Sequence, residues 1–193
     1  MMSMRPQSVL ARALPLCAAA LATACSDGGT NSSRLTPGDV QGVYNVCSLR
    51  FQPSQTALPA ANLLQTVVNP APPAPKQPPS LTLSGQANSY QLLYTRRSDN
   101  FTQELRGSTS FGGSAVFADV PDEDASEVRR ELLLPGELML RFTDNPRRLA
   151  ATGDVAYSVR RSDYARAAGI SEEGLQERIN GSLSGTFAVG ACP

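Results

Sequence analysis

The residues of this chain that are able to do covalent chemistry are its four cysteines, Cys17, Cys25, Cys47 and Cys192. A thiol can be oxidised to a disulfide, converted to a thioether, or act as a nucleophile when a base activates it. The chain has no histidine, so the commonest general base and the commonest zinc ligand are both missing. The sequence therefore argues against Ser-His-Asp and Cys-His catalysis, and we expect a protein that is not an enzyme.

The first 24 residues have the pattern of a secretory signal peptide. Two arginines, Arg5 and Arg12, precede an uncharged run that is too short to span a bilayer and that ends in small residues. Cys17 would be removed with this leader. The sequence predicts a signal peptide at 1–24, a flexible Gly/Ser-rich tether at 25–40 and a single β domain at 41–193.

The end of the leader, Leu21-Ala22-Thr23-Ala24-Cys25, resembles the lipobox of bacterial lipoproteins. In that family the cysteine receives a diacylglyceryl thioether and becomes the first residue of the mature chain. The resemblance implies an exported protein that is anchored in membrane lipid by acyl chains, palmitate among them, at Cys25. Ser26 at the next position implies the outer membrane, where the organism has one. Ala22-Thr23-Ala24 also fits ordinary secretory cleavage, which would release a soluble protein.

The remaining cysteines form an even pair if Cys25 is acylated. Cys47 lies near the start of the predicted domain and Cys192 lies one residue from the end of the chain. Exported chains permit disulfides, and an odd number of thiols requires an explanation. We therefore predict a Cys47–Cys192 disulfide, which would close a loop of about 145 residues.

The charge balance gives no reason to expect a nucleic-acid partner. The 17 basic and 17 acidic residues of the chain become 15 and 17 once Arg5 and Arg12 leave with the signal peptide. The acidic stretch Asp122-Glu123-Asp124 lacks the spacing of an EF-hand, which favours a solvated loop over a calcium site. No cofactor or metal is expected.

Most of the domain has strand patterns. Apolar and polar residues alternate from Ile179 to Val189, and two glycines on the apolar face, Gly181 and Gly185, suit a close neighbouring backbone. Further strands are predicted within 42–51, 81–83, 90–95, 101–106, 114–120, 131–134, 138–142 and 155–159. A Pro-rich loop at 70–79 and a short helix or two, within 58–68 and 162–178, complete the prediction.

Hairpin-length gaps and one-sided alternation indicate a mainly β fold of about seven or eight strands. The strands would form an antiparallel up-and-down barrel or a sandwich. In a barrel the first strand, with Cys47, and the last, which leads to Cys192, would lie side by side, and the disulfide would join them. The alternative of two packed sheets stays open at this point.

The opening of the first strand, Gly42-Val43-Tyr44, is similar to the Gly-x-Trp entry of lipocalin-type barrels, with tyrosine in place of tryptophan. The long loop after this strand is also similar to the loop that follows the first strand in that family. The resemblance implies a barrel rather than a sandwich and assigns no ligand.

These observations predict a non-catalytic binding or interaction module at the cell envelope. Its partner would be an apolar ligand or an envelope protein, and the sequence does not indicate an oligomeric state. The alternatives are an envelope-structural or assembly protein with a solid core and a secreted soluble β protein. An empty interior would favour a ligand site, with five candidate residues: Tyr44, Leu92, Tyr94, Leu183 and Phe187.

Four arginine doublets could alternatively bind anionic headgroups. They begin at residues 96, 129, 147 and 160 and fall at predicted strand ends or turns. Arginines in such places more often form a solvated rim that pairs with neighbouring carboxylates, here Glu104, Glu127, Glu131 or Asp163.

Overall fold

The structure is a computed structural model that describes residues 34–86, 88–151 and 156–192. The predicted signal peptide, Cys25 and Val155 lie outside these residues. Within them, ten strands occur in chain order: β1 (Gly42–Pro53), β2 (Ala61–Asn62), β3 (Ser80–Ser84), β4 (Ser89–Thr95), β5 (Thr102–Gly112), β6 (Ala115–Asp119), β7 (Glu137–Thr143), β8 (Arg148–Ala151), β9 (Tyr157–Arg160) and β10 (Arg178–Ala188). Four short helices accompany them: α1 (Pro37–Val40), α2 (Leu63–Thr66), α3 (Glu127–Glu131) and α4 (Arg161–Ala168).

Eight of the strands form a closed antiparallel barrel. The order around the barrel is β1, β3, β4, β5, β6, β7, β8 and β10, and β10 pairs with β1 to close it. The two remaining strands extend the wall at its margins, since β2 pairs with β1 and β9 pairs with β10. The barrel strands follow one another in chain order, so the up-and-down barrel is confirmed and the sandwich is excluded.

The closing pair of strands shows why the sequence forms a barrel. Along β10 the buried positions are every second residue, from Ile179 through Leu183 to Phe187. Along β1 the buried positions change phase after Val46, because a β-bulge places Val46 opposite Phe187 and Ser48 opposite Thr186. Cys47 is the extra residue of this bulge. A bulge bends and twists a strand, which suits a sheet that must curve to meet its own edge.

One end of the barrel, called here the α1 end, is closed by the segment that precedes β1. Val40 is fully buried, and the Tyr44 hydroxyl donates to its carbonyl at 2.6 Å. The Leu35 N–H donates to the Gly113 carbonyl in the β5–β6 turn at 3.0 Å. Residues 34–40, which the sequence assigned to the flexible tether, are therefore folded onto the barrel. The Thr36–Asp39 capping box and Pro37 in the first turn explain why so short a helix forms here.

The opposite end, called here the helical end, is covered by α2, α3 and α4. The Tyr164 hydroxyl of α4 donates to the Pro59 carbonyl at 2.6 Å, which ties α4 to the loop after β1. The Phe51 ring packs against Tyr157 edge-on and against Tyr164 at a tilt, with centroid distances of 5.6 and 6.0 Å. Helix α4 begins earlier than predicted and ends at Gly169, whose φ of 68° is readily adopted by glycine.

The predicted hairpin around Pro135-Gly136 is wrong in its first half. Glu131 ends helix α3, which begins after the capping residue Ser126, and Leu132 to Leu134 follow it as a buried segment outside any strand. Leu133 has a φ of 49°, which no strand residue adopts. A buried run of three leucines fits a strand or a plug of the core equally well, and periodicity does not separate the two. Strand β8, with arginine at its start and only four residues, was also not predicted.

Candidate functional site

The five residues proposed to line a ligand cavity all face the barrel interior. Tyr44, Leu92, Tyr94, Leu183 and Phe187 are each at most 6% exposed. They are contributed by β1, β4 and β10, as the alternation along those strands predicted. All five belong to one hydrophobic core, but only Leu92 and Phe187 of the set border the same interior void.

The apolar space left inside the barrel is very small. An interior void of about 10 Å³ is lined entirely by buried apolar side chains, among them Leu92, Phe187 and Leu134. This is about the volume that one water needs, and an apolar void of this size stays dry. Tyr44, Tyr94 and Leu183 do not border it. A solid core, and not a ligand cavity, fills the described interior of the barrel.

Helix α3 and the leucines after it close the helical end over this core. Leu132, Leu133 and Leu134 are each at most 3% exposed. The Tyr157 hydroxyl donates to the Leu133 carbonyl, and Arg129 Nε donates to the Leu134 carbonyl at 3.3 Å. The leucines are therefore held by backbone contacts as well as by packing. Sequence reasoning missed this plug because it assigned these residues to a strand.

A charged network holds α3 against the end of β4. Glu131 is 5% exposed and accepts a hydrogen bond from the Tyr94 hydroxyl. Its other oxygen lies 2.6 Å from Arg96 Nη1, which also lies 2.9 Å from Glu127. Burial, followed by the contact with Glu131, raises the pKa of Tyr94. Hydrogen bonds from Arg96 lower the pKa of the exposed Asp99 to about 2. These contacts fix helix α3 to the end of β4.

A second polar cluster lies beneath α4. Asp163 is 5% exposed, and its Oδ1 accepts from Arg166 at 2.9 Å while its Oδ2 has no hydrogen-bond partner. Burial raises the pKa of Asp163, against the opposing effect of Arg166 and Arg130. Arg130 Nε is likewise buried without a partner, and both residues border a void of about 10 Å³. One water molecule fits this space and could join the two groups.

The arginine doublets are engaged mainly by carboxylates and carbonyls of the same chain. Arg96 contacts Glu127 and Glu131, and Arg160 contacts Glu123 and Asp124. Arg97 donates to the Val68 carbonyl. The rim interpretation of these arginines is therefore favoured at the helical end. The expected acidic loop is part of the same network, because Glu123 also accepts from Arg178 at 3.1 Å.

The described surface has at least three open features. One, of about 300 Å³, is bordered by residues of β3, β4 and β5, among them Thr82, Gln91 and Arg106. A groove of about 430 Å³ beside α4 is bordered by Arg160, Arg161, Ser162, Glu177 and Arg178. A smaller cleft of about 210 Å³ lies between β7 and β10, and it is the place where Leu183 of the candidate set reaches an accessible space. The other apolar side chains of this cleft include Phe117, Met139 and Tyr157. Its volume is below the roughly 300 to 1,000 Å³ that is usual for small-molecule sites.

The predicted disulfide is present between Cys47 and Cys192, whose Cα atoms lie 5.3 Å apart. Cys192 follows β10 after a turn at Gly190, and Asn45 Nδ2 donates to the Gly190 carbonyl at 2.6 Å. The bond therefore joins the first and last barrel strands at the α1 end. Cys25, the predicted lipidation site, lies outside the described residues and stays a prediction.

No family model and no curated protein matches this chain. A crystal structure of a lipocalin-like protein from Bacteroides uniformis matches over 79% of this chain and 100% of that chain. The two are 9% identical, with a TM-score of 0.41.

The described residues contain neither a membrane-spanning helix nor a metal-binding cluster. None of the helices at 34–86, 88–151 and 156–192 is long and apolar enough to cross a membrane. In the same part of the chain, no cluster of three or more cysteine and carboxylate side chains has a geometry that could hold a metal ion.

Proposed function

We propose that this chain is an exported lipoprotein, anchored through an acylated Cys25, whose barrel is a non-catalytic interaction module at the cell envelope. The observation that carries the proposal is the filled interior. With a void of about 10 Å³ between the strands, the barrel has no space for an apolar ligand, so its contacts with other molecules are made by the outer surface and the two ends.

The cysteine pattern supports export and anchoring. Disulfides persist in oxidising compartments and are rare in the cytosol, and the Cys47–Cys192 bond uses two of the three thiols that follow the predicted leader. Acylation accounts for the third. Residues 26–33 link the proposed modification site to Arg34, the first residue that the structure describes.

The carboxylates of the helical end support a role without catalysis. A carboxylate that serves as acid or base needs a shifted pKa and access to a substrate. Glu131 is buried against Tyr94 and Arg96, and Glu123 accepts from two arginines. These contacts tie the helical end together, and they leave neither carboxylate free in the open groove beside α4.

The second candidate is an envelope-structural protein, which the same solid core favours. The two candidates differ in whether the barrel has a specific partner. Chemical crosslinking on intact cells, followed by purification of this chain, distinguishes them. A discrete crosslinked species of defined mass supports an interaction module, and crosslinking to cell-wall material alone supports a structural role.

Mass spectrometry of the mature protein from its native membrane tests the anchor. We expect the N-terminal peptide to begin at Cys25 with diacylglyceryl and acyl groups, and Cys25→Ala to abolish both the modification and the membrane fractionation. Cys17→Ala is the matched control, because Cys17 lies within the predicted leader and its loss should change neither. An unmodified mature chain in the soluble fraction would show that ordinary secretory cleavage occurs and would overturn the proposal.

A further inference from the structure

The α1 end is where the preceding part of the chain joins the barrel. Arg34 is the first described residue, and the next residue, Leu35, is hydrogen-bonded to Gly113 in the β5–β6 turn. The first 33 residues, which include Cys25, therefore connect to the barrel at this end. The segment that links Cys25 to the barrel therefore reaches the barrel at the α1 end and not at the helical end.

The α1 end also has an excess of positive charge. Four arginines lie at or beside its strand ends and turns, against two aspartates: Arg34, Arg141, Arg147 and Arg148 against Asp39 and Asp144. Arg147 is fixed there, because its Nη2 donates to the Asp39 and Gln41 carbonyls at 2.7 and 2.5 Å. Its charge also interacts with the Asp39 carboxylate, whose pKa is lowered mainly by hydrogen bonds from Thr36 and additionally by Arg147.

The helical end has the opposite balance. Across its loops and helices, at residues 54–79, 96–101, 119–137 and 156–178, twelve residues are acidic and nine are basic. The sign of the charge thus differs between the two ends of the barrel. A charged body of this kind turns its basic end toward an anionic surface.

Two of the three exposed large apolar side chains of the described residues accompany these arginines, and the third, Phe101, lies under Lys76 at the helical end. Val43 is 57% exposed and Val189 is 48% exposed, and both lie at the α1 end. They adjoin the basic group, since the Val189 N–H donates to the Arg147 carbonyl at 3.3 Å and Gly42, next to Val43, lies close to the Arg147 guanidinium. Arginines are attracted to an anionic bilayer surface, and the exposed valines beside them add no charged group that would oppose this contact.

We propose that the α1 end rests on an anionic lipid surface, with Arg34, Arg147 and Arg148 against the headgroups and the helical end directed away from the membrane. The inference rests on the proposed lipid anchor for its attachment. The arginine and valine side chains that would contact the lipid all belong to the part of the chain that the structure describes. The bilayer then contacts the α1 end, and the helical end stays accessible to other molecules.

A pair of labelled variants tests this orientation. Cys47 and Cys192 are bonded and Cys25 would be acylated, so a newly introduced cysteine is the thiol that a dye can label. Ser114→Cys places the dye in the exposed β5–β6 turn of the α1 end, and Ser98→Cys places it in the exposed β4–β5 turn of the helical end. The mature full-length protein is reconstituted into vesicles of phosphatidylcholine, alone or with phosphatidylglycerol, that contain a headgroup quencher.

We expect strong quenching at Ser114→Cys in vesicles with phosphatidylglycerol, less quenching in pure phosphatidylcholine or at high salt, and little quenching at Ser98→Cys in any vesicle. Each basic residue near such a surface contributes about fivefold to its occupancy. The double variant Arg34→Glu with Arg148→Glu should therefore lower the contact about 25-fold or more. Lys76→Glu with Arg161→Glu, at the helical end, is the matched control and should leave the contact unchanged.

Equal quenching at the two turns, or quenching independent of phosphatidylglycerol, would overturn the orientation while the protein stays bound through its lipid. Failure to sediment with pure phosphatidylcholine vesicles would instead overturn the anchor. In that case the unmodified protein still tests the surface, because salt-sensitive binding to phosphatidylglycerol vesicles, lost in the α1-end double variant, supports it. No binding to either vesicle would overturn both.

Discussion

Gly181 and Phe51 lie against each other in the closing strand pair, and the Phe51 ring occupies the space that a side chain at 181 would need. A β-carbon on Gly181 would stand 2.5 Å from Phe51 Cζ and 2.5 Å from the Gln52 carbonyl oxygen. The two strands approach closely here while the ring packs on Tyr157 and Tyr164. Glycine at 181 is therefore a requirement of barrel closure.

Gly181→Ala should destabilise the barrel by about 1 to 3 kcal/mol, because neither the backbone oxygen nor the buried ring can move freely. Urea unfolding followed by circular dichroism measures the change. Gly38→Ala is the control, since the nearest atom to its β-carbon would be 3.9 Å away and alanine suits the helix it lies in. Equal losses for the two variants would contradict the close approach.

The tyrosines provide a pH prediction. Burial raises the pKa of all five tyrosines, Tyr44, Tyr90, Tyr94, Tyr157 and Tyr164. Above the ordinary tyrosine pKa of about 10, the unfolded chain loses phenolic protons that the folded chain retains, so stability is present below that pH and is lost as pH rises.

We therefore expect absorbance at 295 nm to stay flat above pH 10 and then to rise together with the loss of the folded circular dichroism signal. The amplitude should correspond to all five tyrosines in one step. A phenol that titrates near pH 10 while the signal is still folded would show that at least one of these side chains is accessible to water.

The Cys47–Cys192 bond gives a third prediction. It joins residues 145 positions apart, and loss of a disulfide from a domain costs about 2 to 5 kcal/mol. Replacing both cysteines with serine should lower the urea midpoint accordingly. Wild-type protein in reducing agent should unfold at the same midpoint as the double variant, and the variant itself should not respond to reductant. A reductant effect of similar size in the variant would assign the loss to another cause.

The solid core gives a fourth prediction. Leu92→Ala enlarges the void that Leu92 borders and should cost about 2 to 5 kcal/mol. The enlarged apolar space should then accept a small apolar molecule, so benzene should raise the melting temperature of the variant and not of the wild type. Val43→Ala, at an exposed site, should change stability by less than about 0.5 kcal/mol. Benzene stabilisation of the wild type would show that the interior already has room.

The strands that could be predicted from the sequence are those in which apolar and polar residues alternate along one segment. Alternation from Ile179 to Phe187, with its two inward glycines, identified β10 and its close neighbour, and the counting of cysteines identified the disulfide. These predictions succeed because a half-buried strand leaves a period of two in the sequence whatever lies opposite. The pairing of first and last strands then followed from closure of the sheet.

The failures occur where tertiary contacts decide the structure. Leu132 to Leu134 could be a strand by composition, and only the capping of α3 and the contacts with Arg129 and Tyr157 make them a plug. Val40 is a single apolar residue in a polar stretch, and it is buried because its segment packs over the α1 end of the barrel. Whether inward side chains enclose a cavity or fill it depends on volumes that the alternation pattern does not record.

Closure of the barrel by β1 and β10 also fixes when folding can finish. The strand that closes the barrel is the last of the ten in chain order, so β1 has an open edge until the chain has been made as far as β10. An open edge offers unpaired N–H and C=O groups to any other extended chain. Fragments that end before residue 178 would therefore retain an unpaired edge along β1 and should aggregate more readily than the whole chain.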